Sequence, residues 1–340
     1  MSTINYTEKR IIQFDEPSHT YTDERGNEYT SATTLIGKYQ KPFDRRYYLM
    51  WTALKRNNYK LKYSDTNATQ HIITIRTTGG FKDFKLKYLY DNEKRILNIS
   101  TDAVAAEWEH TTDIACDKGN DKHNFLEDEI NKFSSTQNIQ LDALRKAQSD
   151  INFTGNSLNR KALDNSAIRN KHPEIYSLLV KYLNEGWTIH AEKRVYSAYL
   201  LVAGMIDVLL TKGNKFKILD WKTNKNELHF EAGYYKKDLN GVVSKEWVRK
   251  NDTFLFPINN VSYCKGKVYT LQLSLYAHIL ELWGFECDEL ILCHIRDIPN
   301  GNKFGVVNEQ TEFKVKFYDI KFLKTDIRKM LTHFIKTGRK

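Results

Sequence analysis

A mixed β-sheet flanked by helices, an α/β (α+β) fold, is predicted for this 340-residue chain by three observations. Residues 186–224 read as consecutive short strands, two of them ending apolar runs on an acid: Val202-Ala203-Gly204-Met205-Ile206 before Asp207, and Phe216-Lys217-Ile218-Leu219 before Asp220. Helical periodicity precedes this block at 101–132 and again from Pro173, with Ile175, Leu178, Leu179, Tyr182 and Leu183 on one face. It returns at 267–283, followed by expected strands at 288–296 and 311–318.

The remaining elements follow in order. Apolar and polar residues alternate on either side of Gly26-Asn27, which predicts a hairpin from Ile11-Ile12-Gln13-Phe14, Thr20-Tyr21-Thr22 and Glu28-Tyr29-Thr30. Ser31 is a suitable cap for a short helix through Leu35 and Ile36. A second helix is expected from Phe43-Asp44-Arg45-Arg46-Tyr47 to Leu54. Residues 69–100 carry β-rich pieces, 72–75 and 84–88, broken by Gly79-Gly80, and are expected to form a small added sheet. The segment 134–170 is polar and Asn/Ser-rich, an excursion with short helices. The tail 319–340 reads as a basic amphipathic helix. The expected organisation is an accessory module over 1–100 and a core over 101–340, with insertions at about 134–170 and 225–265.

Lys and Arg number 52 against 42 Asp and Glu, a formal charge of +10. Such a balance favours a polyanionic partner, and nucleic acid is the commonest. No apolar run is long enough to span a bilayer. Met-Ser-Thr-Ile-Asn-Tyr lacks the apolar stretch of a signal peptide, so a cytoplasmic location and no membrane partner are expected. The four cysteines, Cys116, Cys264, Cys287 and Cys293, include no Cys-x-x-Cys pair, which argues against zinc. They are read as reduced thiols, Cys293 as a core residue within Leu290-Ile291-Leu292-Cys293. No Gly-x-x-x-x-Gly-Lys-Ser/Thr loop occurs, so no helicase motor is expected in this chain.

The chemistry concentrates in 186–224. Asp220 and Lys222 share one face of their strand, because side chains alternate. The turn signal Lys212-Gly213-Asn214 returns the Asp207 strand beside them. Two carboxylates and an ammonium then meet at one sheet edge, where the acids can hold a hard divalent cation and the lysine can assist a water nucleophile or a charged transition state. An isolated Asp-x-Lys is mostly an exposed charge pair. Here the flanks are apolar, and burying such charges without a partner or a metal is expensive.

This segment resembles the core of the PD-(D/E)xK nuclease superfamily, in its RecB-like exonuclease branch. The matching residues are Glu192 on the first strand, Gly204-Met205-Ile206-Asp207 on the second and Asp220-Trp221-Lys222-Thr223 on the third. Gly119-Asn120-Asp121-Lys122-His123 on a preceding helix and Gln272-Leu273-Ser274-Leu275-Tyr276 on a following one complete the set. The resemblance covers about residues 101–295 and is weak over the first hundred and over 225–265. It implies a restriction-endonuclease-like core that binds one or two Mg²⁺ or Mn²⁺ ions. Asp207 and Asp220 are implied as principal ligands, with His123 and the Trp221 carbonyl completing the site. Lys222 is implied to orient or deprotonate the attacking water. Gln272 and Tyr276, one helical turn apart, are implied to position DNA or Lys222. Glu192 would tune the metal site or pair with a neighbour, and Glu127, one turn past His123, would support that histidine. Some members carry an iron–sulfur cluster, but the close pair of late cysteines this requires is missing here, so no cluster is expected.

Expected nucleic-acid contacts are Gln272, Tyr276, Thr223 and Lys225 near the motif, and Lys236, Lys237, Arg249 and Lys250 in the insertion, where Tyr234, Tyr235 and Trp247 interleave. The expected activity is a metal-dependent DNA exonuclease, of the kind found in phage or mobile-element recombination, repair or genome processing. Expected partners are single-stranded DNA or duplex ends, together with a single-strand-binding or annealing protein or a helicase. Rival readings are a structure-specific or restriction-type endonuclease on the same core, an RNA nuclease, and a non-catalytic DNA-binding subunit. Retention of both aspartates and the lysine weighs against the last.

Overall fold

The computed structural model describes residues 8–15, 18, 20–56, 91–131, 160–237, 243–298 and 312–337. The β-rich pieces expected at 72–75 and 84–88, and most of the 134–170 excursion, lie outside them. The architecture is mixed α/β, a central mixed sheet flanked by helices.

Strands β1 (Gln13–Asp15), β2 (Thr20–Thr22) and β3 (Glu28–Ser31) form an antiparallel meander. Its second turn is set by Asp23, whose Oδ1 accepts the backbone N–H of Arg25 and of Asn27, and by Gly26 at φ 77°. Ser31 Oγ accepts the Thr34 N–H at 3.1 Å and caps α1 (Ala32–Gly37).

The helices α2 (Arg45–Arg56) and α3 (Asp91–Asn131) follow, then the short α4 (Arg160–Asp164) and α5 (Ile168–Lys171), then α6 (Pro173–Asn184). Residues 91–100, expected within an added sheet, are helical. Leu97 and Val104, two turns apart on α3, pack with Leu49, Met50 and Ala53 of α2.

Next come β4 (Thr188–Ser197), β5 (Val202–Lys212) and β6 (Lys215–Lys222), joined antiparallel. Gly213, at φ 60°, supplies the left-handed residue of the tight β5–β6 turn. The expected insertion contains a separate hairpin, β7 (Gly233–Lys237) and β8 (Val243–Arg249). The helix α7 (Lys265–Leu282) leads to β9 (Glu286–Ile298), which lies parallel to β6, and β10 (Glu312–Asp319) closes antiparallel on β9. The tail helix is α8 (Lys324–Lys336).

The chain forms two compact units, Met1–Lys41 with Asp121–Lys340, and Pro42–Asn120. They part at other places than the expected residue 100 because the opening strands join the main sheet, β3 pairing with β5 through Thr30↔Val202 and Ser31↔Ala203. In the larger unit the sheet separates two cores. One holds Leu35, Leu209, Phe216, Ile218, Leu275 and Met330, and is covered by α1, α7 and α8. The other holds Leu126, Ile130, Leu179, Leu219, Trp221 and Cys293, and is covered by the last turns of α3 and by α4 to α6. Cys293 is buried, as its apolar run predicts. Among the described residues no helix is long and apolar enough to cross a membrane.

Candidate active site

The alternation of β6 assigns its side chains. Phe216 and Ile218 belong to the α7-side core, Leu219 and Trp221 to the opposite one. Asp220 and Lys222 therefore take the α7 side. On β5 the same edge is divided: β3 takes Val202 and Ala203, β6 takes Val208 to Lys212. Between them, among the described residues, 204–207 have no strand on that edge. Asp207 and Asp220 are the next register pair beyond Val208↔Leu219, where the main-chain ladder has already stopped.

In that gap Asp207 Oδ2 accepts the Trp221 N–H at 2.7 Å, and His123 Nδ1 of α3 lies 3.7 Å from the same oxygen. Lys222 Nζ lies 2.5 Å from Asp220 Oδ2. The Asp220 side chain is 1 % exposed, and among the described residues its only charged neighbour in contact is Lys222, while neither oxygen accepts a well-directed hydrogen bond. Glu192 stands on β4 at the level of Asp207, between the pairs Ala191↔Val208 and Lys193↔Ile206, with φ 47°. That is a costly conformation for a glutamate and marks an irregularity beside the acids.

Electrostatics reflect the crowding. Burial, then repulsion from Asp207, Glu127 and Asp220, lifts Glu192 to about 8. Burial lifts Asp220 to about 6 against the opposing pull of Lys222. Asp207 is raised by burial too, although Lys222 and the Trp221 N–H oppose it. Burial disfavours the Lys222 ammonium, but Asp220 and Asp207 outweigh it and the pKa rises. Burial and the nearby Lys222 push His123 below its usual range, which keeps an imidazole lone pair available.

Gln272 and Tyr276 of α7 join the group. Gln272 Nε2 donates to the Tyr276 hydroxyl at 3.0 Å. Burial holds that hydroxyl neutral, and the charges of Asp220 and Asp207 reach it. The Tyr276 ring lies against Gly204, where any Cβ would overlap it. The glycine of Gly-x-x-Asp is thus the space the tyrosine fills.

The other expected contacts have local partners. Arg249 pairs with Glu231 at 2.7 Å and Lys236 with Glu246 at 3.3 Å, all exposed. Lys250 Nζ lies 5.1 Å from the Tyr234 ring centroid. Thr223 is half-buried and Lys225 exposed. The Lys237 side chain falls outside the described residues. Trp247 stacks on His229 at 3.8 Å, with Tyr235 edge-on to both, so these rings are largely engaged with one another while Tyr234 is 48 % exposed.

Among the described residues no three His, Cys, Asp or Glu side chains come together as a ready-made ion cluster. The donor set still suits a hard divalent ion in kind: two carboxylates, a neutral imidazole and a main-chain carbonyl, with two buried Asp220 oxygens lacking hydrogen bonds. Two residues missing from the expected site emerge beside it. Tyr269 and Asn224 hydrogen-bond each other at 2.7 Å next to Lys222. Spacing puts Tyr269 on the face of Gln272, three residues before it, but does not distinguish it from a core tyrosine. No family model matches the chain, and the search of curated proteins found no match.

Proposed function

We propose that the chain is a metal-dependent deoxyribonuclease that hydrolyses DNA from free ends, on a restriction-endonuclease-like core. The observation that carries this reading is Asp220: a buried carboxylate, next to Asp207 and ion-paired to Lys222, with neither oxygen hydrogen-bonded among the described residues. Lys222 offsets its charge, but a carboxylate buried beside a second acid with lone pairs still unused is costly as a purely structural feature and suits a bound cation.

Asp207, Asp220, His123 and the Trp221 carbonyl would hold Mg²⁺ or Mn²⁺. The bound ion supplies an acidified water and charge relief on the phosphate. Lys222 orients the attacking water and offsets negative charge on the phosphorane-like transition state. The Asp207–Trp221 N–H bond fixes the carboxylate in place. The Gln272–Tyr276 pair presents a neutral hydroxyl to the same region and lines the approach of the strand. End dependence is supported by the placement of added segments, with the β7–β8 hairpin inserted between Lys222 on β6 and Gln272 on α7.

End-labelled linear DNA and covalently closed circles of the same sequence, incubated with Mn²⁺, Mg²⁺ or EDTA, test this. Linear DNA should shorten progressively, circles should stay intact, and EDTA should stop the reaction. Circles nicked as fast as linear DNA is shortened would put an endonuclease in place of the exonuclease. No cleavage of any substrate with either metal would sink the enzymatic reading.

A further inference from the structure

Lys222 closes β6, and the chain leaves the strand through Thr223 and Asn224. Asn224 is gripped from two sides. Its carbonyl oxygen lies 2.8 Å from His294 Nε2 on β9, the residue in register with Lys222. A carbonyl only accepts, so that ring nitrogen carries the proton. On the other side, Asn224 Oδ1 accepts the Tyr269 hydroxyl of α7 at 2.7 Å. Tyr269 precedes Gln272 by three residues and Tyr276 by seven, so the three share one helix face.

The Tyr269 ring meets Lys222. Its centroid lies 4.8 Å from Lys222 Nζ, within cation–π range. Lys265 Nζ lies 5.3 Å from the same ring, but Lys265 is exposed, whereas the Lys222 side chain is only 14 % exposed. The contact counts for more where water is excluded. Lysine has a long flexible stem and a point charge, so a defined position for its nitrogen needs at least two holds. Asp220 is one, at 2.5 Å; the ring face is the second.

We propose that Tyr269 is a positioning residue for Lys222: its ring face and the Asp220 carboxylate hold the ammonium between them, and the Asn224 hydrogen bond keeps the ring in place. The catalytic consequence rests on the nuclease reading; the contact itself does not. The device ties α7 to the exit of β6, so the helix that carries Gln272 and Tyr276 also aims the lysine. Tyr269→Phe keeps the ring and loses the tie to Asn224, while Tyr269→Leu loses both.

The test combines a spectroscopic and a kinetic readout on the full chain. The ε-methylene signal of Lys222 is assigned by its disappearance in Lys222→Ala. It should show an upfield ring-current displacement in the wild type, keep most of it in Tyr269→Phe and lose it in Tyr269→Leu. On linear DNA with Mn²⁺, Tyr269→Leu should lower kcat about 10-fold with KM changed by no more than about twofold, and Tyr269→Phe should recover most of the loss. Should Tyr269→Leu not fold, Asn224→Ala takes its place, with a smaller displacement of the signal expected than in the wild type. A Lys222 signal at the position of an exposed lysine, or one unmoved by Tyr269→Leu and Asn224→Ala, overturns the proposal. A loss confined to KM overturns the positioning role. If the wild type cleaves no DNA the nuclease reading fails, and the Lys222 signal alone then decides whether Tyr269 holds the lysine.

Discussion

Asp220 has Lys222 2.5 Å away and, among the described residues, no hydrogen bond to either oxygen, while Asp207 spends one oxygen on the Trp221 N–H. The two acids are therefore not equivalent. Asp220 has coordination capacity free for a ligand, and Asp207 is oriented by the backbone of the strand that carries its partner. Replacing either by Ala, or Lys222 by Ala, should lower single-turnover cleavage by at least about 100-fold. Circular dichroism should show the fold retained, and near-normal turnover in any one variant would remove that residue from the mechanism. Gly204 acts by what it lacks. Gly204→Ala should drive a methyl into the Tyr276 ring and cost about 1–3 kcal/mol, read as a lower thermal midpoint. Asp207, Asp220 and Lys222 were legible because strand alternation and the turn at Gly213 place them together, whereas the Gln272–Tyr276 pair, one helical turn apart, was singled out only by the family resemblance. Tyr269 and Asn224 were not legible, since a tyrosine on a buried helix reads as core until a lysine is found against its ring.

At the scale of elements, the site exists because β5 serves two partners on one edge. Among the described residues, β3 and β6 each pair with one end of it and leave 204–207 without a strand on that edge. The strands themselves were readable from alternation, and the β5–β6 turn from Gly213. The division of the β5 edge was not readable, because it depends on the parallel pairing of β3 through Thr30↔Val202 and Ser31↔Ala203, partners 172 residues apart in sequence. Residues 91–100 were misassigned for a related reason: the apolar partners of Leu97 sit on α2, remote in sequence. The β7–β8 hairpin carries basic residues that Glu231 and Glu246 partly neutralise through exposed pairs, which are individually weak and open to exchange for phosphate. Changing Lys236, Lys237, Arg249 and Lys250 together to Gln should reduce the slope of log K against log salt by about 2, between the limits of no contact and four phosphate contacts. A filter-binding salt titration measures this, and an unchanged slope would remove the hairpin from the proposed DNA interface.

Across the whole molecule, the larger unit buries an unusual set of titratable groups, and their signs oppose. Glu192 and Asp220, raised to about 8 and about 6, favour folding as pH falls through those values. The buried histidines His172, His190, His278 and His294 are all pushed down by burial and act the other way. His190 isolates the second effect, because it is 4 % exposed, lies in the β4–β5 pair and has Thr211 Oγ1 3.2 Å from its Nε2. Its folded pKa, about 3, is below the unfolded value near 6.5. As pH falls the unfolded chain takes the proton first, so the stability that neutral His190 provides is complete above pH ~6.5 and drains away on acidification towards pH ~3. A His190→Gln variant keeps a polar group for Thr211 and cannot titrate. It should be less stable than the wild type at pH 7.5, with a deficit that shrinks by up to about 1.4 kcal/mol per pH unit below pH ~6.5. Chemical denaturation of both proteins from pH 7.5 to 4.5 measures the difference, and the carboxylates cancel because they are common to both. Parallel stability curves over that range would mean that His190 protonates as freely in the folded protein as in the unfolded chain.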